Sequence, residues 1–128
     1  MSATPKPRPK YYDLNLAHLP PPGLVSILHR ISGLLLFFPI LPVLLLTLQN
    51  VVGSEESFAV ARGHLSHPFM KLLLVGFAWL YAHHFFAGLR YLLLDMHWGI
   101  DKVPARTSAY VVLVLGALTA IAAAVEIL

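Results

Sequence analysis

The stretch that decides the fold of this chain is residues 68–94, with the sequence PFMKLLLVGFAWLYAHHFFAGLRYLLL. It is an almost uninterrupted apolar run, and a helix of about 20 such residues suffices to cross the hydrocarbon core of a bilayer. Two further apolar runs flank it, at about 24–48 and about 107–128. We therefore predict an all-α membrane protein with three transmembrane helices.

The composition supports the same fold class. Of the 128 residues, 58% are hydrophobic and 12% are charged, and the mean hydropathy is +0.74. A soluble domain of this length cannot bury so much apolar surface, so a lipid bilayer must cover it. The chain has no Cys, which excludes disulfides, thiolate-bound zinc and iron–sulfur clusters held by cysteine. Basic residues are few, so nucleic acid is not a predicted partner.

Residues 1–23 are predicted to form an extended arm, separate from a three-helix membrane anchor at 24–128. Six of the ten prolines lie in this segment, and proline disfavours the interior of a helix. The arm is either a basic tail or a segment that lies on a partner subunit. It carries three basic residues before the first span, and the second connection carries Lys102 and Arg106, whereas the first loop has only Arg62. The positive-inside rule then places the N-terminus and the second connection in the cytoplasm.

Two further structural expectations concern the first span and the loop after it. Pro39 and Pro42 are expected to bend the first span. Residues 53–67 are rich in charged and polar side chains and are predicted to be a polar loop.

A stripe along the second span contains the best candidate for chemistry. His84, Gly88, Tyr91 and Asp95 share one helix face, which Phe77 and Tyr81 extend. An ionisable residue inside a span is a functional-site hypothesis by default. Two interpretations are open: His84 is a hydrogen-bonded packing residue, or it binds a metal or haem while Gly88 lets a flat ring approach the backbone.

The other histidines are weaker candidates. His83 points about 100° away from His84 on the helix, so we expect it to pack or to hydrogen-bond. His29 is expected near the inner end of the first span, roughly 15 Å from the depth of His84 at 1.5 Å per residue. If a six-coordinate haem is bound, its second ligand is therefore predicted to come from another chain.

Two polar pairs lie at the inner end of the predicted bundle. Ser26 and Arg30 are four residues apart on one face, where they can bind a quinone carbonyl or a haem propionate. The alternative is that Arg30 is a positive-inside anchor and Ser26 an ordinary residue of the first turn. Arg90 and Asp95 can pair with each other or with other groups.

Two motifs resemble signatures of one known family. Residues 26–33, SILHRISG, resemble the S-I-x-H-R-x-[ST]-G signature of the cytochrome b subunit of succinate dehydrogenase. Residues 84–95, HFFAGLRYLLLD, resemble its second signature, H-x-x-x-G-x-R-H-x-x-x-D. Tyr91 stands where the family often has histidine. The three-span plan and the proline-containing arm also fit.

The resemblance implies a non-catalytic anchor subunit of a four-subunit complex in the bacterial inner membrane. The expected partners are a flavoprotein that oxidises succinate, an iron–sulfur subunit that passes electrons to ubiquinone, and a second small anchor in one hetero-oligomeric helix bundle. The two anchors are expected to share a haem b, with His84 as one axial ligand of the iron. The resemblance further implies that His29 and Arg30 lie near the haem propionates, and that Ser26 and Arg30 help to form the ubiquinone site.

Other functions are open at this point. The closest alternative is the anchor of a related fumarate reductase. A small membrane transporter or a structural assembly protein is an alternative from a different class. A transporter is expected to need a carboxylate in mid-membrane, whereas Asp95 and Glu126 both lie near span ends.

Overall fold

The computed structural model describes residues 18–128. Within this range the chain contains no strand and has three helical stretches long and apolar enough to cross a membrane, namely Pro21–Gly53, Pro68–Asp95 and Lys102–Ile127. The predicted all-α fold with three membrane helices is confirmed. Most of the predicted N-terminal arm, including its three basic residues, lies outside the described residues.

The first helix, α1, is Pro21–Leu35 and begins earlier than predicted. Pro20 is its N-cap residue, and Pro21 and Pro22 form its first turn. Proline is tolerated there because the first N–H groups of a helix have no intrahelical partner. The prediction that the arm stays non-helical as far as residue 23 was therefore wrong for its last three residues.

The first span is interrupted at Pro39. A π-helical turn, Leu36–Ile40, contains this proline and separates α1 from α2, Leu41–Gly53. Proline lacks an N–H donor and its ring crowds the preceding turn, so the wider turn accommodates it. Pro42 lies in the first turn of α2, a position where proline fits without a distortion of its own.

The region 53–67 is not a loop, as had been predicted, but contains a helix, α3, at Glu55–Leu65. Ser54 caps it: its hydroxyl accepts from the Ser57 N–H at 3.1 Å, and the Ser57 hydroxyl accepts from the Ser54 N–H at 3.2 Å. Glu55 and Glu56 occupy the first turn, where negative charge complements the helix dipole. The loop prediction rested on the polar composition of this segment, which does not distinguish a loop from a short polar helix.

The second and third spans are α4, Pro68–Asp95, and α5, Lys102–Ile127. Contacts between α4 and its neighbours run in reversed chain order: His29 and Gly33 of α1 lie at Gly88 and His84 of α4. Ser108 and Gly116 of α5 likewise lie at Arg90 and His83. Both pairs of helices are therefore antiparallel. The core between these three helices is small and consists of Val25, Ala87, Ala109 and Val112.

Most large apolar side chains face outward. Phe37, Phe38 and Val52 are 65%, 68% and 76% exposed, and α2 contributes no buried residue. An apolar cleft of about 1080 Å³ opens between α2, α3 and α4. Such a surface fits lipid or partner subunits rather than water.

Candidate functional site

The candidate site lies where α1 crosses α4. Val25, His29 and Ser32 recur at helical spacing and share the face of α1 that looks toward α4. Val25 is 0% exposed and Ser32 is 1% exposed. This face meets α4 at His84, so two motifs far apart in the chain form one site.

The ring of His84 is held through Nδ1. This nitrogen lies 3.2 Å from the carbonyl oxygen of His29 and 3.1 Å from the hydroxyl oxygen of Ser32. A carbonyl oxygen only accepts, so Nδ1 carries the proton in this arrangement. The lone pair of the neutral imidazole is therefore on Nε2, which is the nitrogen left for a ligand bond.

The ring of His29 packs against the His84 stripe. The two imidazoles stack with centroids 4.3 Å apart and an interplanar angle of 12°, and the Tyr91 ring lies 5.2 Å from His29. Nε2 of His29 is 3.7 Å from the position that a Cβ atom would take at Gly88. The flat ring that approaches the backbone at Gly88 in this structure is that of His29.

The expected difference in depth between His29 and His84 was wrong. His29 lies eight residues from the predicted inner end of α1 at Pro21, and His84 lies eleven residues from the predicted inner end of α4 at Asp95. At 1.5 Å per residue, their depths differ by about 4–5 Å. The rings meet face to face, however, and opposite ligands of one iron must point nitrogen toward nitrogen. His29 is therefore not placed to complete the coordination of an iron bound by His84.

Gly33 makes room for the His84 ring. A Cβ atom added at Gly33 would lie 2.9 Å from Cε1 and 3.4 Å from Nδ1 of His84. Sequence reasoning assigned no role to Gly33 or Ser32, although both belong to the first motif. Their signal was the presence of small residues three and four positions after a histidine in an apolar run.

The ends of the predicted stripe lie apart from this site. Tyr81 is 58% exposed and Asp95 is also exposed. His83 is fully buried, stacks on Trp79 at 5.6 Å and contacts Gly116 of α5, which matches its predicted packing role. Neither of its ring nitrogens has a well-formed hydrogen bond to the described residues, although the backbone of Val25 interacts with the ring.

Ser26 and Arg30 are not brought to His84. Ser26 is half-buried and Arg30 is exposed. Arg30 follows His29 directly, so it points about 100° away from the face that meets α4. The pair is thus presented at the outside of the three-helix unit, where a partner subunit can reach it.

Arg90 connects α4 to α5. It is 6% exposed, its Nε donates to the hydroxyl of Ser108 at 2.9 Å, and one terminal nitrogen donates to the carbonyl of Ala105 at 3.1 Å. Its guanidinium lies 5.4 Å from the centre of the Tyr91 ring. The sequence left open whether Arg90 pairs with Asp95 or with other groups, and the structure shows bonds to Ser108 and Ala105.

Comparison with known proteins identifies the family. A family model described as succinate dehydrogenase/fumarate reductase transmembrane subunit matches residues 4–123. The chain belongs to this family. The succinate dehydrogenase cytochrome b556 subunit of Coxiella burnetii (strain RSA 493 / Nine Mile phase I) is 35% identical over 121 residues, which cover 94% of this chain and 96% of the relative.

Family membership confirms the resemblance carried by the two motifs. The chain is a multi-pass membrane subunit with the anchor role in a succinate dehydrogenase complex. Membership in such a complex implies flavoprotein and iron–sulfur partner subunits. Within residues 18–128, no group of three or more histidine, aspartate or glutamate side chains is placed to hold a metal ion.

Proposed function

We propose that this chain is the haem b-binding anchor of a bacterial succinate dehydrogenase and helps electrons from succinate to reach ubiquinone. The observation that carries the proposal is the orientation of His84, whose Nδ1 is occupied by His29 and Ser32 while Nε2 keeps its lone pair. A relative named as a cytochrome b556 subunit supports the choice of haem b.

The residues present fit a haem. A histidine that ligates a metal through one nitrogen usually donates its other N–H to a carbonyl, carboxylate or hydroxyl, and His84 does so. It is half-buried, so its ring borders the surface of this chain rather than its core. A second small anchor would supply the other axial ligand and share the haem. When bound, the haem supplies one-electron exchange.

Ser26 and Arg30 are proposed to contribute to the ubiquinone site. A serine hydroxyl can donate to a quinone carbonyl, and a guanidinium stabilises the negative charge that develops on the oxygen during reduction. The exposure of Arg30 suits a pocket completed by the iron–sulfur subunit. His29 and Arg30 are further proposed to lie near the haem propionates, as the first family motif implies.

The proposal includes a location. The complex lies in the bacterial inner membrane with the N-terminus of this chain in the cytoplasm, as the distribution of Lys and Arg favours. The chain binds and orients cofactors and quinone, while succinate is oxidised elsewhere in the complex.

The test is a reduced-minus-oxidised visible spectrum of the complex purified through this chain from native membranes. We expect a b-type haem signal together with flavin and iron–sulfur partners. His84→Ala should abolish most of the haem signal without preventing membrane insertion. His64→Ala, which changes an exposed histidine of α3, is the matched control and should keep the signal.

Two results would count against the proposal. A wild-type complex with its partners but without haem would remove the haem-binding function. A normal haem content in the His84→Ala complex would assign the axial ligand to another residue.

A further inference from the structure

Ser32 makes two hydrogen bonds in a fully buried position. It is 1% exposed, its hydroxyl donates to the carbonyl of His29 at 2.9 Å, and its oxygen lies 3.1 Å from Nδ1 of His84. A hydroxyl has one proton and two lone pairs. Since the Ser32 hydroxyl donates its proton to the carbonyl oxygen of His29, the Ser32 oxygen has a lone pair left to accept the proton on Nδ1 of His84.

The carbonyl of His29 is the poorer of the two acceptors. It already receives the Ser32 hydroxyl, and a carbonyl in this part of a helix also receives the backbone N–H four residues later. Its two lone pairs are thereby engaged, and its distance to Nδ1, 3.2 Å, is the longer one. The Ser32 oxygen has the spare lone pair and the shorter contact.

The geometry points to Ser32 as a positioning residue for the iron-ligating imidazole. Its hydroxyl oxygen accepts from Nδ1–H of His84, which holds the plane of the ring and makes Nε2 a stronger electron donor. Gly33, the next residue, leaves the space in which the ring takes that orientation. This inference rests on the proposed role of His84 as haem ligand.

Removal of the Ser32 hydroxyl should weaken haem binding and shift the haem potential, as the loss of a hydrogen bond to a metal-bound histidine generally does. Loss of the partner that orients a metal-bound histidine typically lowers metal affinity about 10–100-fold. Without the Ser32 hydroxyl, Nδ1–H keeps only the longer contact to the His29 carbonyl, at 3.2 Å. This weaker hydrogen bond makes the imidazole a poorer donor, which stabilises the oxidised iron less. The midpoint potential of the haem should therefore rise when the hydroxyl is removed.

The experiment compares Ser32→Thr with Ser32→Val in the intact complex. Threonine and valine have nearly the same shape, so the difference between the two variants isolates the hydroxyl. We expect Ser32→Val to lose haem about 10-fold more readily to an excess of a haem-accepting apoprotein, with a raised potential and altered g-values of the oxidised haem. Ser32→Thr should stay near wild type.

Two further variants make the result decisive. Thr119→Val removes a hydroxyl of α5 that donates to the carbonyl of Leu115, at 2.9 Å, and should change neither potential nor haem retention. Ser32→Ala removes the hydroxyl without adding volume, so it shows the effect of the hydroxyl even if valine or threonine disturbs the packing. Its potential and g-values should shift in the same direction as those of Ser32→Val.

The inference fails if Ser32→Ala keeps the wild-type potential, spectrum and haem retention. It also fails if the Thr and Val variants change equally, because the effect is then one of packing. A wild-type complex without haem, or a His84→Ala complex that keeps it, would instead overturn the proposed function, so the two failures are distinguishable.

Discussion

Replacement of Gly33 by alanine tests how tightly the His84 ring is held. The new Cβ atom would lie 2.9 Å from Cε1 of His84, whereas unstrained carbon atoms approach to about 3.5–4.0 Å. The overlap of roughly 0.6 Å or more must be relieved by a movement of the ring. Because Nδ1 bonds at 3.1 and 3.2 Å, a movement of that size brings both contacts to the limit of a hydrogen bond.

The expected cost can be bounded. Overpacking in a fitted site costs about 1–3 kcal/mol, and weakened hydrogen bonds add about 0.5–1.5 kcal/mol. Alanine in place of glycine returns about 0.8–1 kcal/mol through helix propensity. Gly76→Ala is the matched control, since Gly76 lies in α4 with no atom within 4 Å of the added Cβ and gains the same propensity without a clash.

The assay is thermal unfolding of the purified complex in detergent, together with haem content and the visible spectrum. We expect Gly33→Ala to be about 1.5–4.5 kcal/mol less stable than Gly76→Ala, the sum of the overpacking and hydrogen-bond costs, and to retain less haem. Equal stability and equal haem content in the two variants would refute the reasoning, because the ring would then be free to swing aside without loss.

Three further predictions concern other parts of the bundle. Arg30→Ala should impair ubiquinone reduction while succinate oxidation with an artificial acceptor stays intact; Arg62→Ala is the control, and unchanged quinone kinetics would remove Arg30 from the site. Arg90→Lys should lower the free energy of unfolding by about 1.5–3 kcal/mol, because lysine lacks the planar fork that aims one nitrogen at Ser108 and another at Ala105; the same change at exposed Arg106 should have little effect, and equal effects would contradict this account. His83→Leu should leave stability unchanged or raise it by about 1–3 kcal/mol, since it removes two buried nitrogens that lack well-formed hydrogen bonds to residues 18–128; a clear loss of stability would mean that the ring bonds its surroundings.

The sequence was sufficient for the fold class but not for every helix. Three long apolar runs indicate three membrane helices, since a run of about 20 apolar residues matches a helical span, whereas a barrel strand needs only about 9–11. The helix α3 was missed because its polar composition masked the Ser54–Ser57 cap. The predicted start of α1 is too late because the prediction treats Pro21 and Pro22 as barriers to a helix, although the first turn of a helix accepts proline.

The site was only partly predictable for a related reason. His84 stood out because an imidazole in an apolar run is costly. The position of His29 was misjudged in part because a start three residues too late shifts its apparent depth by about 4.5 Å. The roles of Ser32 and Gly33 depend on which face of α1 meets α4, and that is fixed by packing between helices rather than by either segment alone.

The π-helical turn at Leu36–Ile40 has a consequence for hydrophobic mismatch. The continuous stretch Pro21–Gly53 is about 50 Å long at 1.5 Å per residue, well beyond a hydrocarbon thickness of about 30 Å. Since α2 has no buried residue, we expect a change in bilayer thickness to be met by reorientation of α2 and α3 beyond the turn. The face of α1 that holds His84 then keeps its register in thick and thin membranes alike.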